Sequence, residues 1–168
     1  MLARVRTLYG KFLEAIAFVL MVALASVVTI GVIFRTVGQS LVWYDEIASI
    51  LLTWITFYGS ALAALRGAHI GVPSLVDAMP RSGRLAATLV AEAFVIGFFA
   101  LLAWVGFSVL EVLATDFLVS IPEVSVKYTQ SVIPIGATLF VVAELLRLPE
   151  LMRAAAGKSD GGGKGSAP

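Results

Sequence analysis

Trp43-Tyr44-Asp45-Glu46 and Arg66-Gly67-Ala68-His69-Ile70-Gly71-Val72 bracket a run, residues 47–65, that contains no charged side chain. Two acidic residues open the run, and an arginine with the only histidine of the chain closes it. Such a stretch is about the length that a helix needs to cross a hydrocarbon core, roughly 20 residues. On a 3.6-residue period Glu46, Ser49, Thr53, Thr56, Ser60, Ala63 and Gly67 share one narrow stripe. Ile47, Leu51, Trp54, Tyr58, Leu62 and Leu65 share another. The run is therefore expected to be a transmembrane helix with a small, polar seam and a bulky apolar one. Small residues and hydroxyls are a usual helix-packing device in membranes, so the polar seam is expected to pack inside the molecule. The bulky face is then left for lipid or a larger subunit.

The rest of the composition agrees with a membrane protein. Of 168 residues 60% are hydrophobic and 14% charged, and the mean hydropathy is +0.98. A soluble domain is nearer half apolar and a quarter charged. Because the chain has no cysteine, a disulfide framework, thiol catalysis and Cys-based metal sites are excluded together. One histidine makes no cluster for zinc or iron. A formal net charge of +1 with no basic stripe argues against a nucleic-acid partner.

Working outward, four apolar runs qualify as spans, at 12–34, 46–65, 85–110 and 128–146. Helices are expected rather than strands, because an open sheet edge in lipid leaves backbone groups unpaired and the runs lack the alternation of a barrel. The fold class is thus all-α, an integral membrane four-helix unit spanning 12–151. An interfacial segment at 1–11 precedes it, and a disordered Gly-rich tail at 152–168 follows. The small-residue triplet Ala23-Leu24-Ala25 looks like a signal-peptide cleavage site, but the apolar run continues past it, so a retained helix is expected. Basic residues gather before the first span, between the second and third, and after the fourth, whereas Arg35 and Lys127 stand on the other side. That asymmetry predicts cytoplasmic N and C termini.

Charges near the span ends supply the candidate interactions. Arg35 and Glu46, or Asp45, meet at the outer interface beside Trp43 and Tyr44, aromatic residues suited to headgroup depth. Glu144 and Arg147 are spaced for a local ion pair, and with Lys11 and Glu14 they read most simply as solvated helix ends. Arg66 is a candidate for an anionic lipid headgroup or a partner carboxylate, and His69 for a group titrating near neutral pH. Glu92 is a carboxylate well inside a span. An intramembrane charge costs at least ~2.5 kcal/mol on insertion scales, so it is expected to face protein, as a structural polar contact or, alternatively, a proton carrier. Pro73 and Pro80 bracket a short interfacial turn at 74–79, and Pro134 is expected to kink the last span. Gly97 and Gly106 permit close helix approach in the third. No catalytic set, cofactor motif or metal-ligand pattern emerges.

Several of these residues carry a resemblance. The acidic opening Trp43-Tyr44-Asp45-Glu46, then Trp54, Phe57-Tyr58-Gly59-Ser60 and Leu65-Arg66-Gly67-Ala68-His69-Ile70-Gly71-Val72 are similar to the small membrane subunit of the tripartite ATP-independent periplasmic (TRAP) transporters, the DctQ-like family. Ile121-Pro122, Tyr128 and Pro134-Ile135-Gly136 resemble that family's approach to its last helix. The resemblance implies a bacterial inner-membrane transporter in which a periplasmic solute-binding protein delivers an organic anion. A large permease subunit then moves it by a sodium-driven elevator mechanism. Substrate and sodium sites would belong to the large subunit, and this chain would brace its static scaffold, with an outer surface that helps dock the binding protein. Glu46, Arg66 and His69 match family-type positions, and Trp54 and Gly59 are expected packing positions. The expected partners are the large permease, the binding protein and membrane lipids. A stand-alone assembly or stability factor for another membrane complex, and a small intramembrane enzyme using Glu92 and His69, are the competing readings.

Overall fold

A computed structural model of the chain describes residues 2–67 and 80–157. His69, the turn expected at 74–79 and the tail beyond residue 157 lie outside the described residues. The described residues form α1 (Leu2–Thr36), α2 (Tyr44–Arg66), α3 (Arg81–Val112), a 3₁₀ turn at Leu113–Thr115, the short α4 (Val126–Gln130) and α5 (Val132–Gly157). α1, α2, α3 and the α4–α5 unit are each long and apolar enough to cross a membrane. The all-α membrane architecture expected from the sequence is therefore present.

Two helices overrun the bilayer. At 1.5 Å per residue α1, with 35 residues, is about 52 Å long and α3, with 32 residues, is about 48 Å, against a hydrocarbon core of about 30 Å. The basic segment before the first apolar run simply continues the same helix, and α3 begins at Arg81, ahead of the apolar run.

The helices end where backbone chemistry makes them end. Gly38, at φ +80°, closes α1: its N–H donates to Arg35 O at 3.2 Å and that of Gln39 to Phe34 O at 3.0 Å. This is a Schellman cap, which favours glycine in the left-handed conformation. α2 starts with Asp45 and Glu46 in its first turn and finishes with Arg66 in its last, a charge order that suits the helix dipole. Gly67, at φ +71°, then turns the chain away. Between α4 and α5 the helix breaks at Ser131, three residues ahead of Pro134. Pro134 has no N–H to offer Gln130, so the kink expected at this proline is realised as an interruption.

In space the helices form a row rather than following chain order. α2 packs against α1 on one side and α5 on the other, and α3 packs against α5. The core lies where Leu13 of α1, Ala61, Ala64 and Leu65 of α2, and Phe140 and Ala143 of α5 are buried together. Alanines at 61, 64 and 143 let the backbones approach closely, the small-residue device of membrane helices. Phe99 of α3 stacks on Phe140 with ring centroids 3.7 Å apart and joins the outermost helix to this core.

The two faces of α2 are used in the opposite sense to the expectation. Ser49, Thr53 and Thr56 are exposed, whereas Leu65 is buried and Leu51, Trp54, Tyr58 and Leu62 are half-buried. The hydroxyls explain the reversal. Ser49 donates to Glu46 O at 2.8 Å, Thr53 to Ser49 O at 2.9 Å, Thr56 to Leu52 O at 2.8 Å and Ser60 to Phe57 O at 2.8 Å. Each is satisfied by its own helix and needs no partner across an interface. The large apolar side chains gain more from close packing, so they take the interior.

Candidate functional site

The two ends of α2 concentrate the polar contacts. At its start, the carboxylate of Glu46 reaches the connection between α3 and α4. That connection folds as a hairpin: Phe117 and Ser125 form an antiparallel bridge, Leu118 N–H donates to Val124 O at 3.0 Å, and Val124 N–H donates to Ile121 O at 3.0 Å. Pro122 follows Ile121, where its fixed φ favours a tight turn. Glu46 accepts from the backbone N–H of Val119 at 3.2 Å and of Ser120 at 2.9 Å, and also from the Ser120 hydroxyl. A carboxylate with two acceptor oxygens is suited to capping such a strand end. Arg35 was the partner expected for Glu46. Arg35 forms no ion pair among the described residues, because the turn after α1 leaves it exposed while the hairpin tip occupies the carboxylate.

Tyr44 closes the same end. Its ring lies over the backbone of Gly31, where a Cβ would meet Tyr44 Cγ at 2.6 Å and Cε2 at 2.9 Å. Gly31 is therefore what lets α1 and the start of α2 meet. Midway along α2, Trp54 donates from its indole N–H to Thr129 O of α4 at 2.9 Å, so this expected packing position also carries a polar tie. Gly59, the other one, has no atom within 4 Å of where its Cβ would be. The tight glycine contact falls instead at Gly136 of α5, where a Cβ would come within 2.6 Å of Phe57 Cβ. In α3, likewise, Gly106 lies against Pro134, with a Cβ 3.0 Å away, whereas Gly97 faces open space.

At the other end of α2, three arginines surround the last turn. Arg66 pairs with Glu14 of α1. Arg6 pairs with Glu150 of α5 and donates to Leu65 O at 3.0 Å. The Arg147 guanidinium lies over Gly67, 3.0 Å from where a Cβ would stand, although it is the positive φ that calls for glycine there. Cations around carbonyls at a helix C-terminus oppose the negative end of its dipole. Glu14, exposed as expected, in addition reaches the end of α2 through Arg66.

Glu144 and Arg147 form the local pair expected from their spacing, at 3.7 Å. The expectation of a solvated end fails for Glu144, which is 1% exposed, and Arg84 is 6% exposed. Burial follows from the row: Glu144 is on α5, the helix packed between α2 and α3. Tyr9 adds a tie that the sequence did not signal, its hydroxyl donating to Leu139 O of α5 at 2.6 Å. Glu92 is half-buried within α3, and its Oε2 is buried with no hydrogen-bond partner. Among the described residues, no three His, Cys, Asp or Glu side chains gather.

Comparison with known proteins agrees with this architecture. Residues 24–154 match the family described as "Tripartite ATP-independent periplasmic transporters, DctQ component". The ectoine TRAP transporter small permease protein TeaB of Halomonas elongata is 40% identical over 95 residues, which is 55% of this chain and 49% of that relative. This alignment spans about half the length of the relative. The sialic acid TRAP transporter small permease protein SiaQ of Vibrio cholerae is 26% identical over 160 residues, 94% of this chain and 91% of that protein. The family match takes in α2, the hairpin between α3 and α4, α3 itself and nearly all of α5, so this multi-pass inner-membrane chain belongs to the DctQ family, the small permease subunits of TRAP transporters.

Proposed function

We propose that this chain braces the static scaffold of a large permease subunit during sodium-driven uptake of an organic anion delivered by a periplasmic binding protein. The observation that carries this reading is the double fixation of α2. Glu46 ties its start to the outer hairpin, and Arg6 and Arg66 tie its end to α1, which Arg6 in turn joins to α5 through Glu150. A row of helices held at both ends resists deformation, as a support for a moving partner must. Its long α3 presents exposed Phe94, Phe98, Leu101 and Trp104, an apolar surface for lipid or the large permease.

In this reading both termini are cytoplasmic, since basic side chains gather at that end. The hairpin then faces the periplasm. Its tip carries Val119, 93% exposed, beside exposed Phe117 and close to exposed Asp116 and Glu123, a surface that the binding protein can touch. One relative is named for ectoine and the other for sialic acid, in line with substrate choice made on other chains. Co-expression with a cognate large permease tests the reading. A stable complex on size-exclusion chromatography in detergent is expected, reduced by Glu46→Ala or Arg66→Ala without change in substrate affinity of the binding protein. Equal yields of complex from wild type and both variants would contradict it.

A further inference from the structure

Beside the arginine-rich end of α2 an open cavity of about 420 Å³ separates α1 from the ends of α2 and α5. Its volume falls in the range of small-ligand sites, about 300–1,000 Å³. Gly10 and Leu65 form part of its wall, and a Cβ at Gly10 would come within 3.3 Å of Leu65 Cδ2, so the helices touch there. The charged lining consists of Arg6, Lys11, Glu14, Arg66 and Glu150. Arg6 pairs with Glu150 and Arg66 with Glu14, whereas Lys11 is exposed and has no ion pair among the described residues. Three cations against two carboxylates leave one positive charge unanswered. Leu8 and Phe12, on either side of Lys11 in α1, are exposed apolar side chains, and beyond them the helix enters its apolar run.

We propose that this cavity seats the headgroup of a phospholipid carrying one net negative charge. Its phosphodiester lies between Lys11 and Arg66, its headgroup hydroxyls donate to Glu14 or Glu150, and its acyl chains run along α1. The charge balance selects the ligand. A single phosphodiester answers the surplus cation, whereas a zwitterionic headgroup brings an ammonium that the Arg-paired carboxylates are poorly placed to accept. Basic pockets between spanning helices are a recurrent way of holding anionic headgroups. A free phosphate would meet the same side chains but would leave the apolar flank of α1 unused.

Native mass spectrometry of the purified full chain, delipidated and then supplied with one lipid at a time, tests the proposal. One phosphatidylglycerol molecule is expected to remain bound, with phosphatidylethanolamine and diacylglycerol retained far less and inorganic phosphate unable to displace it. Lys11→Gln is expected to lower phosphatidylglycerol occupancy about fivefold, and Lys11→Gln with Arg66→Gln about thirtyfold. Lys127→Gln, at the opposite end of the molecule, should leave it unchanged. Lys11 has no ion pair among the described residues, so its single variant remains informative if the double variant does not fold. Equal retention of phosphatidylglycerol, phosphatidylethanolamine and diacylglycerol, wild-type occupancy in Lys11→Gln, or displacement by inorganic phosphate would each overturn the proposal.

Discussion

Glu46 and Ser120 stand 74 positions apart and are joined twice, through the Ser120 backbone N–H at 2.9 Å and through its hydroxyl. The contact fastens the connection between the third and fourth spans to the start of the second. A long connection between helices thereby becomes part of the rigid body instead of a loose strap.

Removal of this tie should loosen the hairpin tip selectively. In Glu46→Ala, hydrogen exchange is expected to rise at the amides of Val119 and Ser120, which lose their acceptor. Leu118 and Val124 donate within the hairpin and should change less. Unchanged exchange at Val119 and Ser120, measured by exchange mass spectrometry in detergent, would show that the carboxylate does not hold the tip.

Two glycines on neighbouring helices should respond oppositely to a methyl group. Gly136→Ala forces a Cβ to within 2.6 Å of Phe57 and should cost about 1–3 kcal/mol, the usual penalty for overpacking. Gly59→Ala meets no atom within 4 Å and should stabilise the isolated chain by up to about 1 kcal/mol through helix propensity. Unfolding in mixed detergent, followed by circular dichroism, ranks them. A loss at Gly59 as large as that at Gly136 would mean that α2 is packed differently.

Trp54→Phe keeps a ring on α2 but removes the donor to Thr129 O. A loss of about 1 kcal/mol is expected in the same unfolding measurement, within the range of interhelical hydrogen bonds in membrane proteins. No loss would indicate that the indole N–H finds its acceptor elsewhere.

The exposed hydroxyl stripe makes a separate prediction. Replacing Ser49, Thr53 and Thr56 by alanine should alter the stability of the isolated chain by no more than about 0.5 kcal/mol per site, as for surface changes generally. Each hydroxyl bonds only to its own helix. A larger loss would place the stripe against another helix of this chain.

The spans were legible because long, predominantly apolar runs of transmembrane length mark them, and the ends of α2 because charged residues flank its charge-free run. The Glu144–Arg147 pair was legible from spacing alone. Which face of α2 points inward was not, since hydroxyls that bond locally look the same in sequence as hydroxyls that bond across an interface. The burial of Glu144 was hidden for a related reason: it depends on α5 lying between α2 and α3, a spatial order that chain order does not reveal. The partner of Glu46 was missed because it belongs to a hairpin 74 positions away, whereas Arg35 was close in sequence. Gly31 carried no signal of its own, and only the position of the Tyr44 ring shows why a side chain is excluded there.

Uptake into proteoliposomes tests the bracing role most directly. Vesicles containing this chain alone should accumulate no substrate under an inward sodium gradient. Vesicles containing it together with the large permease should do so when the loaded binding protein is added, and vesicles with the large permease alone should be impaired. Robust sodium-driven uptake by this chain alone, or full uptake without it, would contradict the account.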